Sequence, residues 1–141
     1  MTSSGVERPR KLVLDTSAFS RLRAGHEQVL DLVAAADIVF MPATVIGELH
    51  AGFELGRRVR ENRLVLADFL DEPTVAIIET SVEVARRYGQ LFAQLKRAGT
   101  PLPVNDIWIA AATMDCAGHL LTFDAHFKKV PGLSLTLLPT T

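Results

Sequence analysis

Four acidic residues stand at the edges of apolar segments: Asp15 in KLVLDTS, Glu48 in ATVIGELHAG, Asp106 in PVNDIWIAA and Asp124 in LLTFDAH. A carboxylate on a soluble protein ordinarily faces water, and one held beside a buried segment carries a desolvation cost that calls for a partner. A hard cation is such a partner. Mg²⁺ and Mn²⁺ prefer oxygen ligands, and Mg²⁺ is commonly held by one or two carboxylates, with water and substrate phosphate in the remaining positions. The chemistry this set suits is therefore on a phosphodiester. Each residue also has a purely structural use. Asp15 and Asp124 could form turns behind strands, Asp106 could complement a helix dipole behind an Asn105 cap, and Glu48 could sit solvated on a helix. Jointly they point to a site, because Thr16 and Ser17 follow Asp15 and Thr122 lies two before Asp124, placing hydroxyls where they can orient carboxylates or waters.

The elements that must position these groups are legible as an alternation of short β-rich runs and helical stretches. Residues 11–14, 38–41, 74–78, 119–123 and 133–138 read as strands, nearly all apolar and so covered on both faces. Helices are predicted near residues 17–23, 26–36, 43–55, 58–70, 82–98 and 106–116. The fifth is the best punctuated, with Thr80 and Glu83 in a capping-box pattern and Gly99 just past its end. Alternation of this kind predicts a parallel sheet with right-handed crossovers. Asp15 and Asp124, each directly behind a strand, then emerge at the carboxyl edge of the sheet, where open α/β folds place ligands. Glu48 falls at the border of the apolar stripe Val45, Ile46, Leu49 and Phe53, and Asp106 opens a helix apolar nearly all round, so both can lean into the same cleft.

Composition narrows the class. At 141 residues, with 48% hydrophobic and 22% charged residues, the chain can bury a core as one domain over 11–138, with tails at 1–10, expected to be flexible, and 139–141. The net charge of −1 gives no global pull toward nucleic acid, so such binding must come from local patches. Arg57, Arg58 and Arg60 form one candidate patch for RNA, mixed with acidic neighbours that suit a solvated face equally well. Cys116 is alone, consistent with a reducing cytoplasm and with a small core residue. No apolar run suits a secretory signal or a membrane span, so the expectation is a soluble cytoplasmic protein with no membrane partner. His26, His50, His119 and His126 share no metal-ligand spacing, and no zinc site is expected; Trp108 reads as core. The segment LVLADFL at 64–70 is apolar enough to be covered by another chain or by its own domain.

LDTSAFSRL, ATVIGELHAGF, PVNDIWIAA and LLTFDAHFKKVPGL, in that order, resemble the successive motifs of PIN-domain nucleases, in particular the VapC toxins of type II toxin–antitoxin pairs, from about Lys11 to Leu138. The resemblance implies a three-layer α/β/α fold with a central mostly parallel sheet and a Mg²⁺- or Mn²⁺-dependent endoribonuclease. It also implies a cognate VapB-type antitoxin as inhibitor, and a homodimer. Carried over by motif, Asp15, Glu48, Asp106 and Asp124 form the catalytic metal site, with Thr16 and Thr122 supporting it. A non-catalytic PIN-like RNA- or protein-binding module would keep the fold and lack metal binding. A phosphatase of the haloacid dehalogenase type would need an aspartate where Ser17 stands.

Overall fold

Burial explains the centre of the sheet. Leu12, Val13 and Leu14 of strand β1 (Lys11–Leu14) are all fully inaccessible to solvent, and because successive strand residues face opposite sides, both faces must be covered. The same holds for Leu120 and Leu121 of β4 (His119–Thr122). The computed structural model describes residues 9–140, so most of the tail expected at 1–10, and Thr141 of the tail at 139–141, lie outside the described residues. Within them, β2 (Ile38–Pro42), β3 (Val75–Ile78) and β5 (Leu135–Leu137) complete a five-stranded sheet in the order β3-β2-β1-β4-β5, parallel at every pairing. Six helices flank it in an α/β/α arrangement: α1 (Thr16–Arg23), α2 (Glu27–Ala35), α3 (Ala43–Leu55), α4 (Val59–Leu70), α5 (Val82–Arg97) and α6 (Val104–Asp115). A short 3-10 turn covers Ala125–Lys129. No helix among the described residues is long and apolar enough to cross a membrane.

Strand order sets the position of the site. The chain runs outward from β1 through β2 to β3, then returns across the sheet to lay β4 on the other side of β1. β1 and β4 therefore flank a topological switch point, the place where a crevice opens at the carboxyl ends of parallel strands. The pairing of Leu14 with Leu121 brings Asp15 and Thr122 side by side there.

Three expectations are corrected. Helix α5 is capped by Ser81, whose hydroxyl accepts from Val84 N–H at 3.1 Å, not by Thr80. A tight turn in which Ser81 N–H donates to the Glu79 carbonyl carries the chain past Thr80 before the helix starts. Gly99 does follow the helix, at φ +73°, where a Cβ would be strained. Helix α6 begins at Val104 behind Pro103, so Asn105 lies inside the helix and caps nothing. The last strand spans only Leu135–Leu137 rather than 133–138, and all three of its residues are half-buried, as suits an edge strand.

The connection from α6 into β4 is unusually tight. Ala117 has φ +52°, and a Cβ placed on Gly118 would meet Val13 Cγ2 at 2.7 Å and Cys116 Sγ at 2.9 Å. Val13 is wholly buried in the central strand and has nowhere to move. Gly118→Ala should therefore destabilise the protein by about 1–3 kcal/mol, read as a lower urea midpoint. An unchanged midpoint would show that the strand β1 contact is looser than described.

Candidate functional site

Asp15 follows β1 and is only 4% exposed. Its Oδ1 accepts from Ala18 N–H at 2.8 Å, which caps α1, and from Ser17 Oγ at 2.7 Å; its Oδ2 accepts from Thr122 Oγ1 at 2.5 Å. Each of the two hydroxyls also accepts a backbone N–H from the end of β4. Ser17 Oγ accepts from Phe123 N–H at 3.1 Å and Thr122 Oγ1 from Asp124 N–H at 2.9 Å, so the ends of β1 and β4 are cross-braced through one carboxylate. Burial pushes the Asp15 carboxyl above its usual range, an effect that outweighs the three hydrogen bonds and is reinforced by the charge of Asp124.

Glu48 lies in the second turn of α3, the helix that starts directly behind β2. Its Oε1 accepts from Thr16 Oγ1 at 2.5 Å and its Oε2 from Asn105 Nδ2 at 3.2 Å. Thr16 thus acts through Glu48, while Thr122 acts through Asp15. Asn105, weighed from sequence only as a cap, belongs to this arrangement, because a helix starting at Val104 leaves its amide free to reach across to α3.

Asp106 sits in the first turn of α6 and Asp124 at the end of β4, where its Oδ1 accepts from His126 N–H at 2.9 Å and starts the 3-10 turn. The Asp106 carboxyl is pushed up to about 6, first by burial, then by the charge of Asp124, with smaller contributions from Glu48 and Asp15 and an opposing one from His126. Asp15, Glu48, Asp106 and Asp124 line one cleft of about 310 Å³ together with Thr16, Ser17, Ser20 and Ile109. All four sequence candidates thus converge. The structural uses also hold for Asp15 and Asp124, which cap a helix and a turn with oxygens of the same carboxylates.

Among the described residues no lysine or arginine forms an ion pair with any of the four; only His126 approaches, its Nδ1 3.2 Å from Asp124 Oδ1 and 3.8 Å from Asp106 Oδ2. An oxygen-rich cleft of like charges with no basic partner has the donor chemistry of a hard-cation site. The histidines share no zinc-type spacing in the sequence; what sets His126 beside Asp106 and Asp124 is a turn that begins at Asp124 and is pinned by the buried Phe127.

The other candidates lie apart. Arg57, Arg58 and Arg60 are exposed where α3 meets α4, beyond the end of the helix that carries Glu48. Trp108 is half-buried and stacks on Tyr88 at 3.9 Å between ring centres, which fits a structural role. Cys116 is half-buried. His119 contacts Ser134 and Thr136 through its two ring nitrogens. A larger cleft of about 490 Å³ opens at the opposite, amino edge of the sheet, but there Arg10 pairs with Asp37 and Lys11 with the Cys116 carbonyl, so its cations are already engaged.

A family profile described as PIN domain matches residues 12–133. Ribonuclease VapC5 of Mycobacterium tuberculosis is 29% identical over 127 residues, covering 88% of this chain and 90% of the relative. Among solved structures, VapBC-5 of Mycobacterium tuberculosis aligns at 25% identity with a TM-score of 0.70, over 94% of this chain and 100% of that one. VapBC2 of Rickettsia felis, solved bound to a promoter DNA fragment, shares the fold at a TM-score of 0.80, with 24% identity over 91% of this chain and 98% of that one. From strand β1 to the loop before β5, this chain belongs to the PIN-domain family, and its resemblance within that family is to VapC chains.

Proposed function

We propose that the chain, as a single PIN domain over 11–138, is a metal-dependent endoribonuclease of a toxin–antitoxin pair, with Asp15, Glu48, Asp106 and Asp124 holding Mg²⁺ or Mn²⁺. The observation that carries this reading is the convergence of four carboxylates, with no lysine or arginine partner among the described residues, at the switch point between β1 and β4. The ribonuclease assignment of the VapC5 relative supports the substrate class. A divalent ion bound there would neutralise phosphate charge and lower the pKa of bound water.

The chain's own groups divide the remaining work. Asp15 is fixed by three donors and Glu48 by two, so neither has to be ordered when substrate arrives. Asp124, with a side chain 39% exposed against 14% for Asp106, reaches the mouth of the cleft, where it can orient an attacking water and accept its proton at a carboxylate oxygen. Ile109 closes the apolar side of the cleft. Arg57, Arg58 and Arg60 supply phosphate contacts for the RNA strand. The VapBC relatives support a VapB-type antitoxin as partner. Its ground is the α3–α4 surface, where Leu55 is 91% and Leu64 60% exposed. A homodimer would cover other exposed apolar residues such as Val82 and Val104. We place the reaction in the cytoplasm, where RNA and antitoxin are available.

The electrostatics give a signed prediction. A carboxyl whose folded-state value is raised binds more protons folded than unfolded, so metal-free stability should fall as pH rises from about 4 through about 6. Asp106→Asn removes that loss. In thermal melts without metal near pH 7 the variant should unfold at a higher temperature than the parent, and it should lose most of the parent's upward shift with millimolar Mn²⁺. A lower midpoint in the variant would contradict the burial and repulsion described for Asp106.

Glu48→Gln should reduce single-turnover RNA cleavage by at least about a hundredfold while RNA affinity stays within a few-fold, because the carboxylate acts on reacting charge and the strand is held elsewhere. Cleavage at the parent rate would remove Glu48 from the site. Replacing Arg57, Arg58 and Arg60 together by alanine should act in reverse. RNA affinity should weaken, and its log–log salt slope should become shallower by about one for each guanidinium that no longer meets a phosphate. Parental affinity and slope would mark that surface as solvated only.

A further inference from the structure

We infer that His126 is a nitrogen ligand of the cation held by the carboxylates, and that it shifts the preference of the site from Mg²⁺ toward Mn²⁺. The inference rests on the metal-site reading above and adds a donor of different chemistry to it. An oxygen of Asp106, an oxygen of Asp124 and a ring nitrogen of His126 lie within 4.8 Å of one another. Donors sharing one octahedral ion at bonds of about 2.1 Å stand about 3.0 Å apart when adjacent and about 4.2 Å apart when opposite. Nδ1 stands 3.2 Å from Asp124, near the adjacent spacing, and 3.8 Å from Asp106, short of the opposite spacing, so small side-chain shifts would bring all three to one ion.

The backbone that carries the ring is also held in place. His126 donates its backbone N–H to Asp124 Oδ1, and its neighbour Phe127 is 1% exposed, so the short turn presents the imidazole at the cleft without depending on a flexible stem. The other histidines are spoken for. His26 Nδ1 caps α2 by accepting from Val29 N–H, His119 contacts Ser134 and Thr136, and His50 packs edge-on to Phe53, about 200° around α3 from Glu48. An imidazole donor favours first-row transition ions over Mg²⁺, which carboxylates alone barely distinguish from Mn²⁺.

A competing role has the opposite sign. A ring that only balances the charge of Asp106 and Asp124 competes with a cation, so its removal would tighten binding of both metals. A ligand, when removed, weakens binding, and more for Mn²⁺ than for Mg²⁺. The test uses the full chain stripped of metal, titrated calorimetrically with Mn²⁺ and with Mg²⁺, beside pulsed electron paramagnetic resonance of the Mn²⁺-loaded protein. Expected are a histidine-nitrogen coupling in the parent that vanishes in His126→Ala, and a Mn²⁺ affinity about tenfold weaker in the variant with Mg²⁺ affinity changed by no more than about twofold. His50→Ala should keep the coupling. Mn²⁺ bound to the parent without nitrogen coupling, or bound more tightly by His126→Ala, would overturn the inference and leave the carboxylate site standing. A parent chain that binds neither metal would overturn both.

Discussion

Carboxylates gathered in one cleft repel one another, and much of the local structure works against that repulsion. Asp106 holds its proton up to about pH 6, first because burial desolvates its charged form and then because the charge of Asp124, with less from Glu48 and Asp15, stands close. The surroundings answer with hydroxyl, amide and backbone donors, each aimed at a carboxylate oxygen, and among the described residues no lysine or arginine pairs with any of the four. Donors of this kind orient a carboxylate without neutralising it. A basic side chain would have stabilised the metal-free fold further and removed the reason for a cation to bind.

The parallel sheet is what makes such an arrangement possible from distant parts of the chain. Asp15 and Asp124 are 109 positions apart, yet the register that pairs Leu14 with Leu121 makes their loops neighbours. Cross-bracing through Thr122 and Ser17 then fixes one loop to the other. Glu48 and Asp106 arrive on helices, and the Glu48 carboxylate ties its own helix α3 to α1 through Thr16 and to α6 through Asn105. Local caps, strand register and the site share the same atoms. A substitution that disturbs one of these bonds therefore acts on folding and on the cleft together.

Much of this was legible because apolar runs and chemistry-bearing residues are adjacent in the chain. β1 and α3 fall where hydrophobic pattern places them, since three inaccessible residues in a row or an unbroken apolar stripe leave few alternatives. The acidic residues were found by their position at the ends of those runs. What escaped depends on contacts that no local pattern encodes. Ser81 rather than Thr80 caps α5 because of a tight turn, and two neighbouring hydroxyls cannot be told apart from sequence. Asn105 looked like a cap because its preference for that role is strong, whereas Pro103 starts the helix earlier and frees the amide for Glu48. His126 was read against zinc spacing, although its relation to Asp106 arises only when α6 and the end of β4 are brought together.

If the four carboxylates act as one cation-binding group, a divalent ion must sit among them. The most direct measurement is anomalous diffraction from crystals of the full chain soaked in Mn²⁺, with the wavelength set to locate manganese. A manganese peak is expected inside the cleft, with oxygens of at least two of Asp15, Glu48, Asp106 and Asp124 at bonding distance of about 2.1–2.2 Å. A well-occupied manganese elsewhere on the protein, with the cleft itself free of it at saturating metal, would contradict a shared cation site.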